Sequence, residues 1–132
     1  MKTVLTAVIL ALGILSLPAL AIAHHAFAAE FDRDKPVTLA GKVTKIEWVN
    51  PHTWIHMDVA GKDGKVVTWR IEGGAPNALM RRGWNRNSIK IGEQVTVEGF
   101  LAKDGSPTAN GTQVKTADGR VFGAASSAQA SN

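Results

Sequence analysis

Four histidines offer the clearest chemistry in this chain, and they come as two pairs, His24 with His25 and His52 with His56. Neutral imidazole is a strong ligand for transition metals. What the first pair can do depends on how the chain is processed. Lys2 supplies a positive start, Val4 to Leu17 form an apolar run, Pro18 stops it, and Ala19, Ala21 and Ala23 offer two small-x-small cleavage sites. That order of regions is the signature of a secretory signal peptide. The run is shorter than the ~20 residues of a membrane span, so no membrane attachment is expected after cleavage. Cutting after Ala23 makes His24 the new N-terminus and presents an amine, its imidazole and His25 together. Cutting after Ala21 places a free amine two residues before His24. Either end chelates Cu(II) or Ni(II) through nitrogen, and nitrogen-rich tetragonal ligation favours copper. Polar residues are also common just after a signal junction, where such a pair can be passive.

The second pair stands at spacing four with Trp54 between. On a strand, period-two geometry puts His52, Trp54 and His56 on one side and Ile55, Met57 and Val59 on the other. Imidazoles four residues apart on a straight strand are ~13 Å apart, too far to share one ion. His52 follows Pro51 in an expected turn, so it is free to curl back. The parity of Met57 assigns it to the core rather than to a metal.

Trp54, His56, Arg70 and Glu72 form a second constellation. On adjacent antiparallel strands they share an outer face, where an exposed Trp beside charges makes a ligand platform. The competing expectation is plain cross-strand packing, covered by an N-terminal arm through Phe27 and Phe31. Such an arm would also carry His24 and His25 towards His52 and His56. Arg81, Arg82, Arg86 and Lys90 are expected on a solvated helix face rather than in an anion site. No nucleophile elbow or phosphate loop is present, and Glu47, Asp58, Glu72 and Glu98 fall on outward parities, where solvated acids are the default. An enzyme is therefore not expected.

The elements that must position these residues are short and mostly extended. Val37 to Val49 reads as one long strand whose apolar face switches from Val37, Leu39 and Val43 to Ile46 and Trp48. A switch of that kind predicts a bulge near Thr44 and Lys45, and Gly41 suits a strongly bent strand. Asn50-Pro51 turns the chain, Thr53 to Ala60 alternates, and Gly61-Lys62-Asp63-Gly64 is a hairpin loop. Val66 to Glu72 returns with Val67, Trp69 and Ile71 inward. Pro76 opens a helix of barely two turns that runs to Arg82 and stops at Gly83. Strands follow at Gln94 to Ala102 and at roughly Thr112 to Thr116, with a weak extension near Val121 and Phe122.

Three strands, a short helix between strands 3 and 4, and two more strands describe a mostly β, five-stranded OB-like barrel, the oligonucleotide/oligosaccharide-binding architecture. The alternative is a small β-sandwich with an inserted helix. The expected organisation is a signal peptide at 1–23, an N-terminal arm at 24–35, the barrel at 36–122 and a disordered tail at 123–132. Cleavage after residue 23 leaves 109 of the 132 residues, enough for one modest core. Loss of Lys2 takes the net charge from +4 to +3, too small an excess to imply nucleic acid. Cysteine is absent, which excludes disulfides, thiolate ligands and a lipid anchor on cysteine.

Several segments resemble one family. They are His24-His25-Ala26-Phe27-Ala28-Ala29-Glu30-Phe31-Asp32, Glu47-Trp48-Val49-Asn50-Pro51-His52, Pro76 to Trp84 with its Arg-Arg-Gly-Trp end, Gly92 to Gly99, and Ala102-Lys103-Asp104-Gly105. Together they are similar to a set of small exported proteobacterial proteins known only as a domain of unknown function. The resemblance implies a periplasmic OB-like barrel and transfers no catalytic residues. Two functions are thus expected as alternatives. One is a periplasmic accessory protein holding copper through His24, His25, His52 and His56, with Glu30 supporting a ligand. The other is a metal-free module that binds a protein, peptide or glycan through Trp54, Arg70 and Glu72.

Overall fold

The computed structural model describes residues 27–126. The expected leader, His24 and His25, and residues 127–132 lie outside that range. A helical turn at 27–30 leads into β1 (Phe31–Trp48), β2 (Thr53–Ala60) and β3 (Val66–Glu72). Helix α1 (Pro76–Arg81) follows, then β4 (Gln94–Ala102), β5 (Thr108–Thr116) and β6 (Val121–Gly123). The strands lie in the order β3-β2-β1-β4-β5-β6, and β3 also pairs with β5. That extra pairing is parallel, Arg70 to Thr108 through Glu72 to Asn110, and it closes five strands into a ring with β6 appended to β5. The fold is mostly β, with the OB-like order and the helix between strands 3 and 4.

Alternation builds the core. Leu39 and Val43 of β1, Ile55 and Met57 of β2, Ile71 of β3, Val95 and Val97 of β4 and Val114 of β5 are buried together, and α1 adds Leu79. Strand β1 serves two walls, pairing with β4 through its first half and with β2 through its second. Its register against β2 slips between Val43 and Lys45, at the predicted bulge, which lets Ile46 and Trp48 pack on the core from the opposite parity. Gly41 permits the crossing: a Cβ there would stand 2.3 Å from the Asp58 carbonyl oxygen. Helix α1 has Pro in its first turn and ends before Gly83, whose φ is +91°.

Three boundaries and the orientation of one side chain differ from expectation, each for a tertiary reason. Strand β1 begins at Phe31, not Val37, because Phe31 is only 3% exposed and stacks with Phe27 at 5.6 Å, while Phe27 meets Phe100 edge-on at 6.1 Å. Residues 27–35, the described part of the expected N-terminal arm, join the barrel, and aromatic burial pins their start to β4. Strand β5 begins at Thr108, not Thr112. Ala109, Asn110 and Gly111 have poor strand propensity, but they are buried because this segment supplies the seam with β3. Val67 is 42% exposed rather than inward, since pairing with β5 starts only at Arg70 and the hairpin tip projects past the barrel. Finally, the segment after Gly123 is packed. Ala124 N–H donates to Thr112 O at 2.8 Å, Gly74 N–H donates to Ala124 O at 2.9 Å, and Ala124 and Ser126 are buried.

Candidate functional site

The β2–β3 ladder sets Trp54 opposite Glu72 and His56 opposite Arg70, so these four side chains share one face of the barrel. Arg70 is exposed, and its guanidinium sits 4.5 Å from the centre of the Trp54 ring. This cation–π contact anchors the guanidinium on the ring, and among the described residues none of its N–H groups is hydrogen-bonded. Among the described residues Arg70 forms no ion pair through its side chain.

Two hollows flank Trp54. The larger, a cleft of about 760 Å³, is bounded by Arg70 and Thr68 of β3 and by Lys103, Ser106, Pro107 and Thr108 of the β4–β5 turn. The smaller, about 400 Å³, is lined by Phe27, Pro51, His52, Glu72 and Ser126. Glu30, Phe31 and Trp54 border both. The helical turn at 27–30 and the start of β1 thus form the outer wall of this face, partly covering it as the packing alternative foresaw. The Lys103 ammonium fixes that wall by donating to Ala28 O.

The histidines take different partners. His56 Nε2 lies 2.7 Å from Glu47 Oε2, and Lys45 Nζ donates to Glu47 Oε1, also at 2.7 Å. Those two contacts, Lys45 first and His56 second, pull the Glu47 carboxyl down from 4.5 to about 2. His56 is thereby committed to a surface ion cluster. His52 instead lies against the 400 Å³ pocket. Its Nδ1 is 3.2 Å from Gly73 O and 3.6 Å from Glu72 Oε1. A carbonyl only accepts, so Nδ1 carries a proton and donates it to Gly73 O.

Glu72 departs from the solvated acid its parity suggests. It is 7% exposed, because the seam with β5 lies on one side and the wall at residues 27–31 closes the other. Asn110 Nδ2 donates to Glu72 Oε1 at 3.1 Å. Burial pushes the Glu72 carboxyl above its ordinary value of 4.5, and nearby Glu30 adds to this; His52, the Asn110 hydrogen bond and Arg70 oppose it. Asn110 Oδ1 and Thr53 Oγ1 are buried without a partner among the described residues.

Of the residues singled out in the sequence, the fold therefore brings Trp54, Arg70, Glu72 and His52 around one region and sends His56 to Glu47. His24 and His25 lie outside the described residues. Among the described residues no group of three or more His, Cys, Asp or Glu side chains is arranged to hold a metal ion. Asn110 and Lys103 went unrecognised; the Ala-Asn-Gly run around Asn110 carries no strand signal, and Lys103 sits in an ordinary Asp-Gly turn.

A family model described as a family of unknown function, DUF6152, matches residues 11–113. No curated protein matches the chain.

Proposed function

This chain belongs to the family of unknown function DUF6152, and from that premise we propose that it is an exported, periplasmic accessory protein of proteobacterial type. Its barrel binds a ligand or a segment of a partner, without catalysis, on the Trp54–Arg70 face. One observation carries this reading. An exposed guanidinium with no carboxylate partner among the described residues is stacked on Trp54 at the edge of a cleft of about 760 Å³. A cation held flat on an aromatic is pre-oriented, so little rotamer freedom is lost when an anion arrives. The apolar run, Pro18 and the small-residue sites before His24 support export. The test is to immobilise the mature protein and its Trp54→Ala and Arg70→Ala variants against panels of peptides and glycans. Ligands retained by the wild type should be lost by both variants. Retention by Trp54→Ala of all that the wild type holds refutes the reading.

A second reading, copper binding through His24 and His25 with His52, has a specific observation in its favour. Phe27 is buried in the wall of the pocket that contains His52. Covalent geometry keeps His25, two residues away, within ~7 Å of Phe27 along the chain. A ligating histidine commonly donates its other ring N–H to a backbone carbonyl, as His52 does to Gly73. Titration of the mature protein with Cu(II), repeated on His24→Ala plus His25→Ala, decides it; equal, micromolar-or-weaker binding by both removes copper.

A further inference from the structure

The two hollows beside Trp54 differ in what they ask of a ligand. The smaller is lined by the carboxyl groups of Glu72 and Glu30 beside His52, whose Nδ1–H is used on Gly73 O. Among the described residues its lining has no lysine or arginine. A group that only donates, with positive charge, satisfies that set. In the larger hollow the opposite holds at Arg70, which only donates and has no ion-pair partner among the described residues. Lys103 there is already committed to Ala28 O, and Asp104 accepts from Ser106 N–H at 2.9 Å. Of the cations at that end, Arg70 is the one placed on Trp54 with no side-chain hydrogen bond among the described residues.

Arg70 and Glu72 stand two residues apart on β3, so their Cα atoms are ~7 Å apart. Trp54 lies across from them, directly opposite Glu72 and under the Arg70 guanidinium. The surface reads cation site, aromatic, anion site within one small span. An extended dipeptide separates its ammonium and carboxylate by about 6–7 Å, a span that suits charges carried on neighbouring positions of one strand face.

We propose that the ligand of this face is a zwitterion, a short peptide with both ends free, lying across Trp54 with its carboxylate on Arg70 and its ammonium among Glu72, Glu30 and His52. This rests on the reading that the Trp54–Arg70 face binds ligands and supplies the chemical class. Charge at the two ends sets the direction of the backbone. A ligand lacking its ammonium leaves acceptors without a donor, and one lacking its carboxylate leaves Arg70 without an anion.

The test uses the mature protein and three forms of one probe: Ala-Phe, N-acetyl-Ala-Phe and Ala-Phe amide. Binding is followed by calorimetry and by the NMR shift of the Trp54 indole N–H. Free Ala-Phe should bind, and each blocked form should be weaker by about tenfold or more, as expected for a charge-assisted hydrogen bond. Glu72→Gln should erase only the discrimination against the acetylated form, and Arg70→Gln only that against the amide. Because the chemical blocks are placed on the ligand, the result does not depend on how well a variant folds. If N-acetyl-Ala-Phe binds as tightly as Ala-Phe through Trp54, the ammonium site is refuted while the binding face stands. If none of the three moves the Trp54 signal, the zwitterion is refuted, and the fate of the face rests on the Trp54→Ala panels above.

Discussion

Replacing Gly99 by alanine tests whether the barrel closes as described and whether that closure supports the site. Gly99 of β4 faces Gly111 of β5, at a register shift between Glu98 and Gly99. A Cβ on Gly99 would stand 2.2 Å from the Asn110 carbonyl oxygen, 3.0 Å from the Asn110 carbonyl carbon and 3.2 Å from Gly111 Cα. All three are backbone atoms, so no side chain can rotate out of the way. Ordinary contact requires β5 to retreat by ~1 Å, which stretches ladder hydrogen bonds past the normal N···O range. Overpacking of this kind costs about 1–3 kcal/mol, and one ladder bond lost around a buried Asn110 adds about 1. A destabilisation of about 3 kcal/mol follows, which for a domain of this size lowers Tm by roughly 12–24 °C. Thermal and urea unfolding, followed by far-UV circular dichroism and the combined fluorescence of the four tryptophans, measure it. Gly123→Ala is the control, since a Cβ there meets nothing within 4 Å, and it should stay within about 0.5 kcal/mol of wild type. Should Gly99→Ala melt within ~3 °C of wild type, near the edge of a 0.5 kcal/mol effect, the close β4–β5 approach is wrong, and the placement of Asn110 against Glu72 falls with it.

Other outcomes follow from the charged groups. Burial raises the Glu72 carboxyl above 4.5, so protonation favours the folded state: that contribution is complete below the ordinary value and lost as pH rises through the folded one. His52, Glu30 and Arg70 face the same carboxyl. Glu72→Gln should therefore flatten the dependence of the urea midpoint on pH above 4.5, and an unchanged slope would exclude Glu72 as its source. Glu47 behaves oppositely. Lys45 and His56 lower it to about 2, so its contribution is present above 4.5 and disappears as pH falls towards 2; a carbon-detected NMR titration placing its midpoint at 4.5 would contradict the Lys45–Glu47–His56 cluster. Arg70→Ala should cost only about 0.5–1 kcal/mol of stability, the worth of an exposed cation–π contact, while removing ligand binding. A loss of several kcal/mol in urea unfolding would instead make Arg70 structural.

Where a residue's role was set by its immediate neighbours, it was legible in the sequence. The face switch along β1 announced the bulge at Thr44, the alternation around Met57 assigned it to the core, and Pro76 with Gly83 bracketed the helix. The shared face of Trp54, His56, Arg70 and Glu72 followed from parity alone. Parity was silent on depth: Glu72 is buried because distant segments, residues 27–31 and 108–110, close over it. Nothing local to Ala109, Asn110 or Gly111 marks them as a strand, since their conformation is imposed by the partners on either side. His52 and His56 were separable only by their acceptors, the Gly73 carbonyl for the first and the Glu47 carboxylate for the second.

The parallel seam has a consequence for folding order. Glu72 and Asn110 are 38 residues apart, and no hairpin joins their strands, whereas β2–β3 and β4–β5 are each linked by a short turn. Local hairpins form at small entropic cost, while a contact across so long an intervening chain forms only after the rest has collapsed. The acceptor-lined pocket includes one member of that seam, so it does not exist in a half-folded chain. The pocket would thus be completed only at the final step of assembly, and the amide of Arg70, which donates to Pro107 O at 2.9 Å on the β5 side, should be among the last to gain protection from exchange.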